Sequence, residues 1–277
     1  MINSILISMA SMGGLGLLFS AGLAVANKKL YVEEDPRIAQ VLEELPGANC
    51  GGCGYPGCAN FADNIVAGKA AVNGCPVNTA DGAEAIARIM GVDAESGERL
   101  IARVICRGGD YETAKKGVYN GIQSCTSAHL MGGGDRLCDY GCIGYGECVA
   151  VCPFDAMYMN ENHLPVVIED KCTGCGNCAE ICPRNVIEMH PESHKLFIMC
   201  KNEDAAKEAR ATCIKACIAC GICIRAVEDG EIIIEKNLAR IDYDKYGRVP
   251  VIPTDKCSTN SFVTFGAEES KELEAAA

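Results

Sequence analysis

Cys50, Cys53 and Cys58 stand on one short loop, and Cys75-Pro76 follows. Cys172, Cys175, Cys178 and Cys182-Pro183 form the run C-x2-C-x2-C-x3-C-P. Cys142, Cys148 and Cys152-Pro153 repeat that run with Tyr145 in one slot, and Cys217, Cys220 and Cys223 begin it again. Thiolates at two-residue intervals on Gly-rich loops can converge on one cubane-sized object. This run is the ligand signature of 4Fe-4S clusters, and its fourth Cys serves the other cluster of a pair. The chemistry on offer is one-electron transfer.

The spacing allows ligand sets to be written down. Cys50, Cys53, Cys58 and Cys75 form one. Crossed ligation gives Cys152, Cys172, Cys175 and Cys178 as a second. The third needs a replacement for Tyr145, a poor ligand, and Cys138, one short turn upstream, is expected to supply it beside Cys142, Cys148 and Cys182. The half-repeat at Cys217 has Val227 in its fourth slot, and Tyr246, Val249 and Ile252 stand where three more Cys would fall. All four ligands of one cluster are missing together, so one site of a second ferredoxin-like unit has been erased. Cys217, Cys220 and Cys223 still need a fourth thiolate. Cys257 is the expected one, with Cys213 as a rival that would leave Cys257 free. Cys106, Cys125, Cys200 and Cys213 remain, in two similar segments that each read as a strand ending in Cys. They are expected to form a fifth set, which would use all twenty cysteines; the bland reading is buried free thiols. Structural zinc is the main rival for the whole pattern, since CxxC pairs also bind zinc. Zinc sites combine two pairs across a gap, whereas three Cys in a tight run before Cys-Pro favour the cluster. Disulfides fit grouped CxxC runs poorly.

Elements must hold these loops. Ile2 to Ala26 is apolar and uncharged. Its 25 residues would span about 37 Å as a helix, enough for a hydrocarbon core of roughly 30 Å. Lys28 and Lys29 follow, which places the rest of the chain in the cytoplasm by the positive-inside tendency, with the anchor in the inner (cytoplasmic) membrane. Gly13, Gly14 and Gly16 would allow close helix packing. A cleaved signal at Ala24-Val25-Ala26 is the alternative, but the segment has no basic stretch ahead of it. Asp35-Pro36 reads as a cap and first-turn Pro before a helix over Arg37–Leu45. Further helices are expected over Asn60–Val72 and, capped by Asp81, over Gly82–Met90. The fold class expected is α+β: a transmembrane anchor (1–27), a small helical 4Fe-4S domain (28–92), a linking segment with Cys106 and Cys125 (93–137), a ferredoxin-like domain with two clusters (138–190), a degenerate second ferredoxin-like unit (191–257) and a tail (258–277).

Composition narrows the function. The net charge of −12 argues against nucleic acid as a partner. Trp is absent and aromatics make up 5%, which suits small domains whose folding energy comes from metal ligation. No GxGxxG follows a strand and there is no P-loop lysine motif, so no catalytic nucleotide site is expected in this chain. Gly132-Gly133-Gly134 is a turn, and His129, His163, His190 and His194 are too scattered for a metal site. Two basic stretches stand out: Arg99, Arg103, Arg107, Lys115 and Lys116, then Lys195, Lys201, Lys207, Arg210 and Lys215. They read as solvated faces or as a docking face that steers an acidic carrier.

The uncharged N-terminal helix, then Asn27-Lys28-Lys29-Leu30, Val32-Glu-Glu-Asp-Pro-Arg-Ile38 and Leu45-Pro-Gly-Ala-Asn-Cys-Gly-Gly-Cys-Gly-Tyr-Pro-Gly-Cys58, resemble the B subunit of the Rnf complex, the ion-translocating ferredoxin:NAD oxidoreductase. The resemblance covers nearly the whole chain and is most specific over residues 47–76. It implies an enzyme subunit without catalytic residues of its own, which takes electrons from reduced ferredoxin. It also implies other membrane and peripheral subunits as partners, with NAD reduction and Na+ or H+ translocation elsewhere in the assembly. The Cys-rich C-terminal region resembles longer forms from anaerobes. The missing set at 227, 246, 249 and 252 departs from them and bears on the cluster number. A polyferredoxin-type subunit of another membrane complex and a zinc-stapled scaffold protein are the other functions considered.

Overall fold

The computed structural model describes residues 2–30, 35–93, 97–227, 231–245 and 256–265. Helix α1 (Ile2–Lys29) is a single 28-residue helix ending on Lys28 and Lys29. Its stretch Met9–Lys29 has a mean hydropathy of 1.7 and none of it is buried within the chain. A long apolar helix whose described residues from Met9 to Lys29 are exposed within the chain fits a single-pass membrane anchor.

Three short helices follow: α2 (Pro36–Glu43), α3 (Cys58–Val66) and α4 (Ala80–Met90). The Asp35 side chain caps α2 by accepting from the Arg37 N–H, with Pro36 in the first turn. The cap of α4 is Thr79, which accepts from Gly82 N at 3.1 Å. Asp81 lies inside the first turn instead of capping it. Gly91 ends α4 in the left-handed region. The three helices bury Val41, Leu45, Phe61, Ala62, Ile65 and Ile86, and Cys53, Cys58 and Cys75 pack on that core.

The rest is built twice on one plan. Strand β1 (Leu100–Val104) precedes helices α5 (Cys125–Leu130) and α6 (Glu147–Ala150), and a β2 (Met157–Met159) and β3 (Pro165–Val167) hairpin follows. Helix α7 (Asn177–Glu180) then leads to β4 (Ile187–Pro191), which pairs antiparallel with β1, Leu100 opposite Pro191 and Val104 opposite Ile187. The segment expected to link two domains thus shares a sheet with the unit it precedes. In the second round β5 (Leu196–Ile198) precedes α8 (Ala206–Thr212) and a β6 (Ile232–Glu235) and β7 (Leu238–Ile241) hairpin. Strand β8 (Phe262–Thr264) returns to pair with β5. Lys236 and Asn237 both take positive φ in the two-residue turn of the β6–β7 hairpin, the geometry that matches strand twist. Val227 packs against the core of this second round. Tyr246, Val249 and Ile252 lie outside the described residues.

The two rounds meet at Arg103. Its side chain, 2% exposed, pairs with Glu169 and lies over the rings of Phe197 and Phe265. Glu169→Gln would leave a buried cation without its acid. Breaking one side of a buried pair costs about 3 kcal/mol or more, so calorimetry of the cluster-loaded protein should show a clear drop in Tm. An unchanged Tm would mean that the pair contributes little.

Candidate metal centres

The cysteines gather in five groups. In the first, Cys50 and Cys53 lie on the loop into α3, Cys58 begins that helix, and Cys75 returns after it. The Asn49 side-chain oxygen accepts from Cys58 N at 2.9 Å and holds the loop closed. Burial raises the Cys75 thiol above its ordinary range, with the charges of Cys53 and Cys50 adding.

Cys152, Cys172, Cys175 and Cys178 line one cavity, closed by Ala102, Phe154, Ala156 and Met157. This is the crossed set expected from the spacing. Cys142, Cys148 and Cys182 line another cavity, and the fourth cysteine there is Cys125. Cys138, expected in that place, stands instead with Cys106, Cys200 and Cys213 around a third cavity. The two sets as written from the sequence therefore exchange Cys125 and Cys138. The physical reason is Glu147, next to Cys148. Its carboxylate accepts from Ser124 Oγ at 2.5 Å, Thr126 N at 2.9 Å and Thr126 Oγ1 at 2.8 Å. That clamp holds the start of α5, and Cys125 with it, beside Cys148. The Cys138 thiol faces the other way, toward the Nδ2 of buried Asn202 at 3.9 Å. Nothing local around Cys125 announces this, because the clamp joins residues more than twenty positions apart.

Cys217, Cys220, Cys223 and Cys257 line the remaining cavity. Cys213, the rival for that group, is absent from its lining and stands with Cys106. Burial opposes ionisation of Cys257, but hydrogen bonds from Ser261, Thr259 and the Phe262 backbone outweigh it and bring the thiol down to about 7. Elsewhere burial and crowding push thiols up: Cys148, Cys178 and Cys200 to about 12, and Cys223 to about 11. Such thiols ionise only when a cation takes the place of the proton. The donor chemistry fits a metal centre that binds thiolate.

The shape of the sites bears on whether they suit a lone ion or a cluster. Zinc would pull four sulfurs to about 2.3 Å from one point. The thiols of four groups instead ring open cavities. Two glycines in matched positions help to build this space. Gly146 and Gly176 take φ of 73° and 84° and turn the chain into α6 and α7, which carry Cys148 and Cys178. A side chain at either would strain that turn.

The groups touch in a single file. Asn177 Nδ2 donates to Cys50 O at 3.0 Å, and a Cβ on Gly52 would stand 2.5 Å from Cys175 O. Helices α6 and α7 pack together, which sets Cys148 near Cys178. Cys142 N donates to Cys106 Sγ at 3.4 Å. Cys200 packs against the core that contains Cys217. The order is therefore the Cys50, Cys172, Cys142, Cys106 and Cys217 groups, and Cys220 at the far end is exposed.

The basic stretches divide. Arg103 is buried, while Lys115 pairs with Asp110 and Asp135, Lys116 with Asp139 and Lys201 with Glu188. Arg107, Lys201 and Lys215 line the Cys106 cavity. His190 lies in an aromatic cluster with His194, Phe197 and Tyr243, apart from the thiols.

Comparison with known proteins adds two matched families and several relatives that match most of the chain. Residues 45–77 match a family described as "Putative Fe-S cluster", and residues 136–189 match the "4Fe-4S dicluster domain". The second match covers the Cys142 and Cys172 groups apart from Cys125. The B subunit of the Na(+)-translocating ferredoxin:NAD(+) oxidoreductase complex of Acetobacterium woodii is 46% identical over 94% of this chain and 78% of its own length. The B subunit of the ion-translocating oxidoreductase complex of Methanosarcina acetivorans is 37% identical over 88% of this chain and 92% of its own. The B subunit of the proton-translocating ferredoxin:NAD(+) oxidoreductase complex of Clostridium ljungdahlii is 36% identical over 87% and 85%.

Proposed function

Because this chain belongs to the B-subunit family of the ion-translocating ferredoxin:NAD+ oxidoreductase (Rnf) complexes, we propose that it is their membrane-anchored electron-entry component, holding five 4Fe-4S clusters and receiving electrons from reduced ferredoxin. Partner subunits reduce NAD+ and carry Na+ or H+ across the membrane. The observation that carries this reading is the single file of five cysteine groups, each touching the next.

When bound, a 4Fe-4S cluster gains and loses one electron at a time. The chain's own part is to hold the file in order and keep water out. Cys142, Cys148, Cys178 and Cys217 are buried, and apolar walls of Ala156, Met157, Val186 and Ile187 surround the middle groups. The exposed Cys220 end suits exchange with a soluble donor. The Cys50 group is the nearest in sequence to the anchor, 21 residues after Lys29. The Lys28-Lys29 pair at the end of α1 supports a cytoplasmic position for the groups. Other subunits of the complex and membrane lipid are the remaining partners, and 46% identity to a B subunit favours this host over another membrane redox complex.

The test is metal and sulfide analysis with EPR of the reduced, full-length protein. Five groups predict about twenty iron and twenty sulfide per chain, four for each cluster. About sixteen would remove one group from the file. Zinc without acid-labile sulfide would overturn the reading.

A further inference from the structure

Among the described residues, five buried side-chain donor atoms have no hydrogen-bond partner: Asn78 Nδ2, Arg103 Nε and Nη2, Thr173 Oγ1 and Arg184 Nε. Burying a donor without an acceptor is costly, so each asks for an explanation. Three of the four residues stand at a cysteine group. Asn78 follows Cys75 by three residues and its backbone N–H donates to Cys75 O at 3.3 Å. Thr173 lines the cavity of the Cys172 group, and Arg184 lines that of the Cys142 group.

Arg184 is the most constrained. Its side chain is 3% exposed, and the nearest carboxylate oxygen it pairs with, on Asp139, is 3.9 Å away on a side chain that is 75% exposed. Arg136, the other buried arginine of this region, is instead matched by Asp110 at 2.8 Å. The Arg184 charge is therefore poorly compensated. Its Nη1 donates to Cys138 O at 2.6 Å and Gly141 O at 2.9 Å, and its Nη2 to Gly133 O at 2.9 Å. One guanidinium thus walls the Cys142 cavity and holds the loop that presents Cys138 to the next group in the file.

We propose that Arg184 tunes the electron affinity of the cluster held by Cys125, Cys142, Cys148 and Cys182, resting on the reading that these cysteines bind a 4Fe-4S cluster. Reduction adds one electron, drawn from the reduced carrier, and so one negative charge. A buried cation in the cavity wall, with one N–H that has no other acceptor, favours the more negative form. Arg184 acts as a tuning residue, and its Nη contacts make it a positioning residue for the Cys106 group.

The test is a potentiometric series read by EPR on full-length protein carrying its clusters, comparing the native chain with Arg184→Gln and Arg184→Lys. Iron and sulfide are counted on each sample. At the native midpoint of this cluster, Arg184→Gln is expected to lower the reduced-to-oxidised ratio about tenfold, which is 59 mV for one electron, in protein whose EPR signal shows this cluster retained. Arg184→Lys, which keeps the charge, recovers part of the shift. An unchanged ratio in Arg184→Gln overturns the proposal. Loss of about four iron in both variants also overturns it and leaves Arg184 as a folding residue only. Cys182→Ala serves as the separate control. If it removes neither iron nor an EPR signal, the assignment of the site itself fails, and the proposal with it.

Discussion

Replacing Cys125 and Cys182 together by alanine is expected to remove about four iron per chain, no more than either change alone, because both line one cavity and a cluster holds four iron. Replacing Cys138 and Cys182 together is expected to remove about eight, because Cys138 lines the Cys106 cavity instead. A chain read only by spacing predicts the reverse. Under that reading Cys138 and Cys182 share a cluster, and Cys125 belongs with Cys106. Iron and sulfide counts on the two double variants, with the single variants beside them, separate the alternatives. Equal losses of four from the Cys138/Cys182 pair would restore the spacing rule and show that Glu147 does not decide where Cys125 goes. A Glu147→Gln variant adds a finer readout. It weakens the clamp on Ser124 and Thr126 without touching a thiol, so any loss should be confined to the Cys142 group.

Gly52→Val is expected to separate the first two groups of the file while leaving each intact. A Cβ there would meet the Cys175 backbone at 2.5, 3.1 and 3.2 Å from its O, Cα and C atoms. Backbone cannot swing aside as a side-chain tip can, so the helical domain must retreat. Overpacking of this kind costs about 1–3 kcal/mol, which shifts the docked population by about 5- to 150-fold. The side-chain hydrogen bond from Asn177 to Cys50 O resists that shift. Iron content should stay constant because no thiol is changed. The magnetic coupling between the two reduced clusters in EPR should weaken, and reduction of the Cys50 cluster from the ferredoxin side should slow. Unchanged coupling would show that this contact does not set their spacing.

Local features of the fold were legible wherever the signal was local. The Asp35-Pro36 start of α2 and the apolar span of α1 follow from cap chemistry and hydropathy. Most expected elements also exist, but with shifted bounds. The helix read as Asn60–Val72 runs from Cys58 to Val66, because Gly68 in positive φ ends it. The α4 cap moved from Asp81 to Thr79, since either residue can cap and the chain entering from Cys75 presents Thr79. The doubling of the plan was legible in the two similar segments ending in Cys106 and Cys200, but the pairing of β1 with β4 and of β5 with β8 was not. Strands of three to five residues carry too little pattern to say what they pair with across dozens of positions.

The sequence by itself determined the chemistry. Runs of thiols with two residues between them on Gly-rich loops, three of them closing on Cys-Pro at Cys75, Cys152 and Cys182, point to cluster ligands through short-range spacing, and short-range spacing survives any arrangement of the rest. It also determined the groups whose members lie in one run or in a crossed pair of runs, at Cys50 and at Cys172. Only the tertiary structure decided where the unpaired cysteines go. Cys125, Cys138, Cys213 and Cys257 each have more than one partner within reach of the chain. The choice is made by contacts between distant residues, Glu147 with Ser124 and Thr126 and Asn202 with Cys138, and by the turn that brings Ser261 to Cys257. The file itself is also tertiary. Which group touches which depends on Gly52 meeting Cys175 and on Cys142 donating to Cys106, and loop spacing carries no record of such meetings.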